Sequence, residues 1–358
     1  MRKFLLLLTL CVAASCSKAA STDMPAWRWQ DPEPPVEPEV VELHPEIVAL
    51  GWTNVTTSYT AVPEGLSVYK SPAELNGQKV IAYIAVADLN KIAWDVRSID
   101  DPTIQGTDEA LKTPSAFYAE TAAPVVVNGG YFFVEGGKRY NASVAVSGGR
   151  KYGVNVNYAS LDWETMYYPT RGVFYQNSSM AASPLETEPK VGWTYWPGGA
   201  RHYLYSEPAQ NSWDAEPLQI PDAHFPVEAL DFAPQTAIGG GPVLIRGGEI
   251  VNTWEAELWY GDGADDKMPL ARHPRTAIGY TTNNCMILFV CEGRGMTDGV
   301  AGMTFEEEAK VLMALGCKAA LNLDGGGSSC MLIQGQQTIK VSDGSERPIA
   351  SVVILKKK

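Results

Sequence analysis

The stretch Leu321–Met331, "LNLDGGGSSCM", decides how this chain is to be read. A carboxylate and three consecutive glycines stand between two apolar runs that would otherwise pass for buried strands, and two serines follow. Glycine inside a regular element costs roughly 0.5–1 kcal/mol relative to alanine. Three in a row therefore predict a sharp turn, or a place where something approaches the backbone closely. A nucleotide phosphate loop is excluded, because that motif carries a Gly-Lys-Ser/Thr ending that runs into a helix. Here no lysine follows the glycines and "SCMLIQG" reads as a strand. Nor does the run match a dinucleotide fingerprint.

Working outward, the chain is strand-rich. "KVIAYIAVADL" (Lys79–Leu89), "APVVVNGGYFF" (Ala123–Phe133), "TAIGYTTNNCMILFVCEG" (Thr276–Gly293) and "IASVVIL" (Ile349–Leu355) are β-branched, apolar or alternating runs closed by turn residues. One helix is plainly written in "TFEEEAKVLMALGC". Thr304 and Glu307 form a capping box, Phe305, Ala309 and Leu312 an apolar stripe, and Gly316 a stop. A second helix is expected over Pro114–Thr121. The predicted class is α+β: a β-rich mixed sheet with few packed helices. A long insertion, about residues 152–232, is dense in Trp and Tyr. Its aromatics either pack a β-rich core or present platforms to sugar faces.

The 358 residues carry a formal charge of -13, which argues against a nucleic-acid partner but leaves room for a local basic pocket. "MRKFLLLLTLCVAASCSKAA" has a basic start, a short apolar run and a small-residue ending at Cys16. It is expected to be a lipoprotein signal over 1–15, with lipidation at Cys16. "DPEPPVEPEVVE" (Asp31–Glu42) then reads as part of an extended Pro/acidic tether over 16–42. The folded domain is expected over 43–358, held at a bacterial cell envelope by its lipid. Cys285, Cys291, Cys317 and Cys330 match no zinc spacing and are expected as buried free thiols.

Glycine clusters recur at strand ends: Asn128-Gly129-Gly130, Gly239–Gly241 and Asp324–Ser329. Each could turn backbone amides into one concavity as a nest for an anion. Arginines adjoin the same strands: Arg272 and Arg275 with His273 before one, Arg294 after Glu292 and Gly293, and Arg347 before the last. Guanidinium forks match phosphate oxygens.

"NGGYF", "GGGPVLI", "HPRTAIGYT", "VCEGR", the "MTFEEEAKVLMALGC" helix and "ALNLDGGGSS", in this order, resemble the phosphodiester glycosidase family over roughly Val80–Leu355. Where many relatives carry Asp-Gly-Arg, this chain has Glu292-Gly293-Arg294. The resemblance implies hydrolysis of a sugar-1-phosphodiester at the anomeric carbon, the sugar being of the N-acetylglucosamine type. It implies Asp324 as nucleophile or general base, with Glu292 as second carboxylate. Arg275, Arg294, Arg347, Gly240, Gly241, Gly325, Gly326, Gly327, Ser328 and Ser329 would hold phosphate, and Asn128, Gly129, Gly130 and Thr276 sugar or phosphate oxygens. No cofactor is expected. Oxygen ligands would suffice for calcium, which nothing in the sequence requires. The competing expectation is a surface lipoprotein that binds glycans through the aromatic insertion without turnover.

Overall fold

The computed structural model describes residues 42–358, apart from 76, 179–185 and 260–268. The expected leader, Cys16 and the tether up to residue 41 lie outside the described residues. Three sheets of eight, seven and five strands carry the fold, with two short two-stranded ribbons beside them. The helices Pro114–Thr121 and Phe305–Ala314 form where the sequence places them. Thr304 and Glu307 make both bonds of the capping box.

The β-rich α+β class is as expected, but the pairings are not mixed: every one described is antiparallel. The reason lies in the order of three strands. Arg275–Thr281 pairs with Cys285–Cys291 on one side and with Cys317–Asn322 on the other. The helix Phe305–Ala314 joins two strands that run the same way, and the first hairpin strand sits between them. A parallel crossover exists in the chain without a parallel ladder.

The run "CMILFVC" is buried at every position because both faces of its sheet are covered. Ile287 and Phe289 pack with Phe305, Ala309 and Leu312 of the helix. Met286, Leu288 and Val290 face a central core shared with Val125 and Val127 of the five-stranded sheet and Phe174 and Trp193 of the seven-stranded one. Val126, one residue out of phase, turns outward to Phe117 of the other helix. The aromatic segment is part of this body: Arg171–Gln176, Lys190–Tyr195, Tyr203–Tyr205 and Leu230–Asp231 complete the seven-stranded sheet with strands from outside it. Phe174, Trp193, Tyr195 and Tyr205 are buried, so these aromatics serve the core. The four cysteines are free and buried.

Candidate active site

Register brings the sequence-distant motifs to one place. Arg275 lies opposite Cys291, so Glu292-Gly293-Arg294 leaves the sheet beside it. Ala277 lies opposite Asn322, so Leu323-Asp324-Gly325 leaves at the same end. The chain then crosses from the eight-stranded to the five-stranded sheet through a single 3-10 turn, Gly326–Ser328, before Met331–Ile333 resumes as a strand. The triple glycine is this crossing.

At the crossing is a cleft of ≈ 180 Å³ walled by Tyr131, His273, Arg275, Arg294 and Arg347, with Asp324 and Gly325–Gly327. Among the described residues, three arginines and one carboxylate thus line this cleft in a protein of formal charge -13. Larger hollows of ≈ 650 and ≈ 510 Å³ lie beside Tyr205, Arg246 and Trp193. The first is edged by a half-exposed surface pair, Lys318–Glu188 at 2.8 Å, so volume alone does not mark it as the site of chemistry.

Asp324 is fixed from three directions. Its amide donates to Gly129 O (3.1 Å), its carbonyl accepts from Asn128 Nδ2 (2.6 Å), and its carboxylate lies beside the Ser328 side chain and the Gly325 backbone, whose polar groups favour its charged form. Burial pushes its carboxyl up to about 6; these groups and the charges of Arg347 and Arg294 hold it from going higher. Relative to an ordinary aspartate, the charged form is disfavoured by roughly 3 kcal/mol. That is a large share of a typical domain stability of about 5–15 kcal/mol, and such shifts cluster where carboxylates do chemistry.

The glycines make room for the arginines. A methyl group on Gly326, where φ is +58°, would meet Arg294 Nη2 at 2.8 Å. One on Gly327 would run into the Arg347 guanidinium and the Asp343 carboxylate. Arg347 is paired with Asp343 at 2.7 Å and reaches the Ser328 hydroxyl at 3.4 Å. Arg294 is exposed and makes no ion pair among the described residues. Its backbone is left-handed (φ 56°), a costly state for a non-glycine residue that recurs at functional sites. Arg275 is buried, donating to Met303 O (2.8 Å) and Ala271 O (3.0 Å) with its guanidinium 4.0 Å above Phe305.

Of the residues expected in the site, the cleft gathers Asp324, Gly325, Gly326, Gly327, Arg275, Arg294 and Arg347. The others stand behind it. Asn128 Oδ1 accepts from Thr276 Oγ1 (2.8 Å) and from the Cys330 amide (3.1 Å), and Thr276 Oγ1, its one proton used, accepts from the Ser329 hydroxyl (3.1 Å). These three side chains are buried and bond one another and the loop, so they position Asp324 instead of meeting a ligand. Ser328, also buried, orients the carboxylate. The other glycine clusters form no anion nest. The amides of Gly129 and Gly130 go to Ser351, that of Gly240 to Gly172 O and that of Gly241 to Asn322 O. Glu292 lies off the cleft, accepting the Lys340 amide at 2.9 Å. Arg272 is spent on Glu307, next to the helix cap.

Sequence reasoning passed over Tyr131, although it follows Gly130 directly in "NGGYF". Its hydroxyl donates to Gly241 O (2.9 Å) and accepts from Asn322 Nδ2 (3.0 Å). Its ring stacks on Trp259, centroids 4.4 Å apart, and the Arg171 guanidinium lies 4.1 Å from the same indole. Buried Glu257 ties this stack down, accepting from the indoles of Trp259 (2.8 Å) and Trp193 (3.0 Å) and from the Gly172 and Val243 amides. Only long-range pairing shows this.

Residues 121–356 match the model of the phosphodiester glycosidase family. The chain belongs to that family. A curated relative, the uncharacterized SPbeta prophage-derived protein YomE of Bacillus subtilis, is 31% identical over 84 residues. That match covers 24% of this chain and 13% of YomE. Two solved structures share the fold at TM-score 0.52. One, the catalytic domain of zebrafish N-acetylglucosamine-1-phosphodiester alpha-N-acetylglucosaminidase auto-inhibited by its pro-peptide, is 18% identical, covering 84% of this chain and 86% of that one. The other, a hypothetical protein from Synechocystis, is 17% identical, covering 86% of this chain and 68% of that one. All the cleft residues fall within the family match.

Proposed function

We propose that this phosphodiester glycosidase hydrolyses a sugar-1-phosphodiester at the anomeric carbon, releasing the sugar, of the N-acetylglucosamine type, from a phosphomonoester. The observation that carries the reading is one carboxylate of raised pKa lining a small cleft together with three arginines. Cleavage at the anomeric carbon creates positive charge on the sugar and leaves negative charge on the departing phosphate. Asp324 answers the first need, as nucleophile or as base toward water. Arg294, Arg347 and Arg275 answer the second, acting in a partly dry pocket where charge is weakly screened. Phosphate is a good leaving group without a proton. A strong general acid is therefore dispensable, which fits a cleft whose wall, among the described residues, holds Asp324 as its one carboxylate, Asp343 being paired with Arg347. The exposed part of Tyr131 offers an apolar face for the sugar ring.

The test is turnover of a GlcNAc-1-phosphodiester in water enriched in oxygen-18, by the 42–358 domain and its Asp324→Asn variant. Label in the released sugar, with loss of turnover in the variant, supports the reading. Label in the phosphate would make the protein a phosphodiesterase and overturn it. The competing idea of a non-catalytic glycan binder loses Phe174, Trp193, Tyr195 and Tyr205 as platforms, because they are buried, and keeps exposed Trp163; retained glycan binding without turnover in both proteins would favour it. For the chain as a whole we propose a lipid anchor at Cys16 in a bacterial envelope, on the pattern of the first twenty residues. Metabolic labelling with palmitate, lost in Cys16→Ala, would support it; unlabelled wild type would refute it.

A further inference from the structure

The arginines of the cleft answer an anion, and Tyr131 is the aromatic wall beside them. The proton of its hydroxyl goes to Gly241 O, and the same oxygen accepts from Asn322 Nδ2. What Tyr131 has left to offer an occupant is its ring, which stays partly exposed. An aromatic ring receives the apolar C–H side of a sugar only when its face, and not its edge, is turned to it. The plane of this ring therefore matters.

That plane is set by a residue outside the glycine motifs. Trp259 stacks on Tyr131 with the ring planes 29° from parallel and the centroids 4.4 Å apart. Among the described residues Trp259 does not itself wall the cleft, so it acts through Tyr131. Its indole N–H donates to Glu257 at 2.8 Å, and Glu257 is fully buried. The same carboxylate accepts from Trp193 Nε1 (3.0 Å), from the Gly172 (2.8 Å) and Val243 (3.0 Å) amides and from the Thr253 hydroxyl. Gly172 and Trp193 belong to strands of the seven-stranded sheet and Val243 to a strand of the eight-stranded one. The indole is thus moored to two sheets at once.

The chain accepts several costs to hold it there. Arg171, buried, keeps its guanidinium 4.1 Å from the indole and donates to the Glu257 carbonyl. Leu258, directly before Trp259, has a left-handed backbone (φ 53°), a strained state for a bulky residue that recurs at ligand clamps. At Gly241 any Cβ would run into the indole. An aliphatic filler would need neither the buried ions nor the strained leucine. Buried ionic groups are weak stabilisers, and their attested use is to fix a register or an orientation.

We propose that Trp259 is a positioning residue for the sugar subsite: moored by Glu257, it holds the Tyr131 ring face-on to a hexopyranose whose phosphate meets the arginines. This rests on reading the cleft as the phosphodiester site. The aromatic pair then selects the sugar ring and the arginines select the anion, and the two contributions come apart on substitution.

The experiment is calorimetric binding of N-acetylglucosamine and, separately, of inorganic phosphate at one fixed pH, to the protein and its Trp259→Ala variant. Wild type should bind both. The variant is expected to lose about tenfold in affinity for the sugar and less than about twofold for phosphate. Trp259→Phe keeps a ring to stack but has no N–H for Glu257, so its sugar affinity should fall between the two. In turnover the effect belongs in KM and not in kcat. Equal losses for both ligands would make Trp259 merely structural; that result, undiminished sugar affinity, or no sugar binding by wild type would overturn the proposal. Should Trp259→Ala fold poorly, Trp259→Phe must still separate the two affinities. Sugar binding that follows this pattern in a protein that does not cleave the phosphodiester would sink the reading of function and leave this inference standing, so the two failures are distinguishable.

Discussion

Two glycine runs that look alike in sequence do opposite work. Asn128-Gly129-Gly130 lets backbone meet backbone: its amides go to Ser351, and a methyl group on Gly130 would strike Gly239 O and the Ser143 side chain. Asp324-Gly325-Gly326-Gly327 lets guanidinium groups meet backbone at the wall of an open cleft. The first run holds the second in place, since Gly129 O accepts the Asp324 amide and Asn128 Nδ2 donates to its carbonyl. Glycine therefore marks close approach in both, and what approaches separates scaffold from site.

The largest test of this division is Asp324→Asn. Turnover should fall by about 10²–10⁴-fold, the range for a lost proton-transfer or nucleophilic carboxylate. Stability should move the other way, with a sign set by the raised pKa. The native carboxyl binds its proton up to about pH 6, whereas the unfolded one releases it near about 4. Ionisation therefore costs stability progressively as pH rises through that window, and the cost is fully present above it. The neutral amide of the variant has no such cost. Melting curves should show Asp324→Asn gaining stability at pH 8 and little at pH 4. The activity of wild type should rise with pH through about 6. An activity loss together with lower stability at pH 8 would mean Asp324 is structural, and the scaffold–site division would collapse.

Next in size is a matched pair of substitutions. Gly130→Ala forces a methyl group against a carbonyl and a buried serine, and should destabilise by about 1–3 kcal/mol or more while what folds keeps its kcat. Gly326→Ala meets the far end of the Arg294 side chain, which can shift. It should cost roughly 1 kcal/mol in stability at its left-handed φ but about tenfold in kcat/KM through a displaced guanidinium. Urea melts and Michaelis kinetics on both variants decide it. If Gly130→Ala chiefly harms turnover and Gly326→Ala chiefly harms folding, the assignment of the two runs is inverted.

How far the chain could be read in advance follows the range of the forces involved. The capping box at Thr304 and Glu307 was legible because its partners are three residues apart. So was the burial of "CMILFVC", which follows from apolar continuity. Asp324 with Arg275, Arg294 and Arg347 was legible as a motif set and is gathered in one cleft. The duty of Gly130 was not, because Ser351 lies 221 residues away. Nor was the burial of Trp193 and Tyr205, which depends on which strands pair. The antiparallel ladder was hidden for the same reason: only register shows that Arg275–Thr281 separates the crossover strands.

Glu292 shows where local reading stops, and it supports the smallest predicted effect. Being two residues from Arg294, it should share a face with it if the strand continued. The chain leaves the strand after Cys291, however, and Arg294 takes a left-handed backbone, so alternation fails where it would matter. Glu292 ends with one oxygen on the Lys340 amide and 4% exposure, while Arg294 emerges at the cleft. Glutamine keeps an oxygen for the Lys340 amide and removes a buried charge. Glu292→Gln should therefore change kcat by less than about threefold, with stability unchanged or slightly raised, because the side chain lies off the cleft and the amide oxygen can take over the Lys340 bond. Rate measurements beside melting curves would check this. A variant that melts like wild type but loses turnover a hundredfold would place Glu292 in the chemistry after all, and would mean that the cleft closes around substrate to reach it.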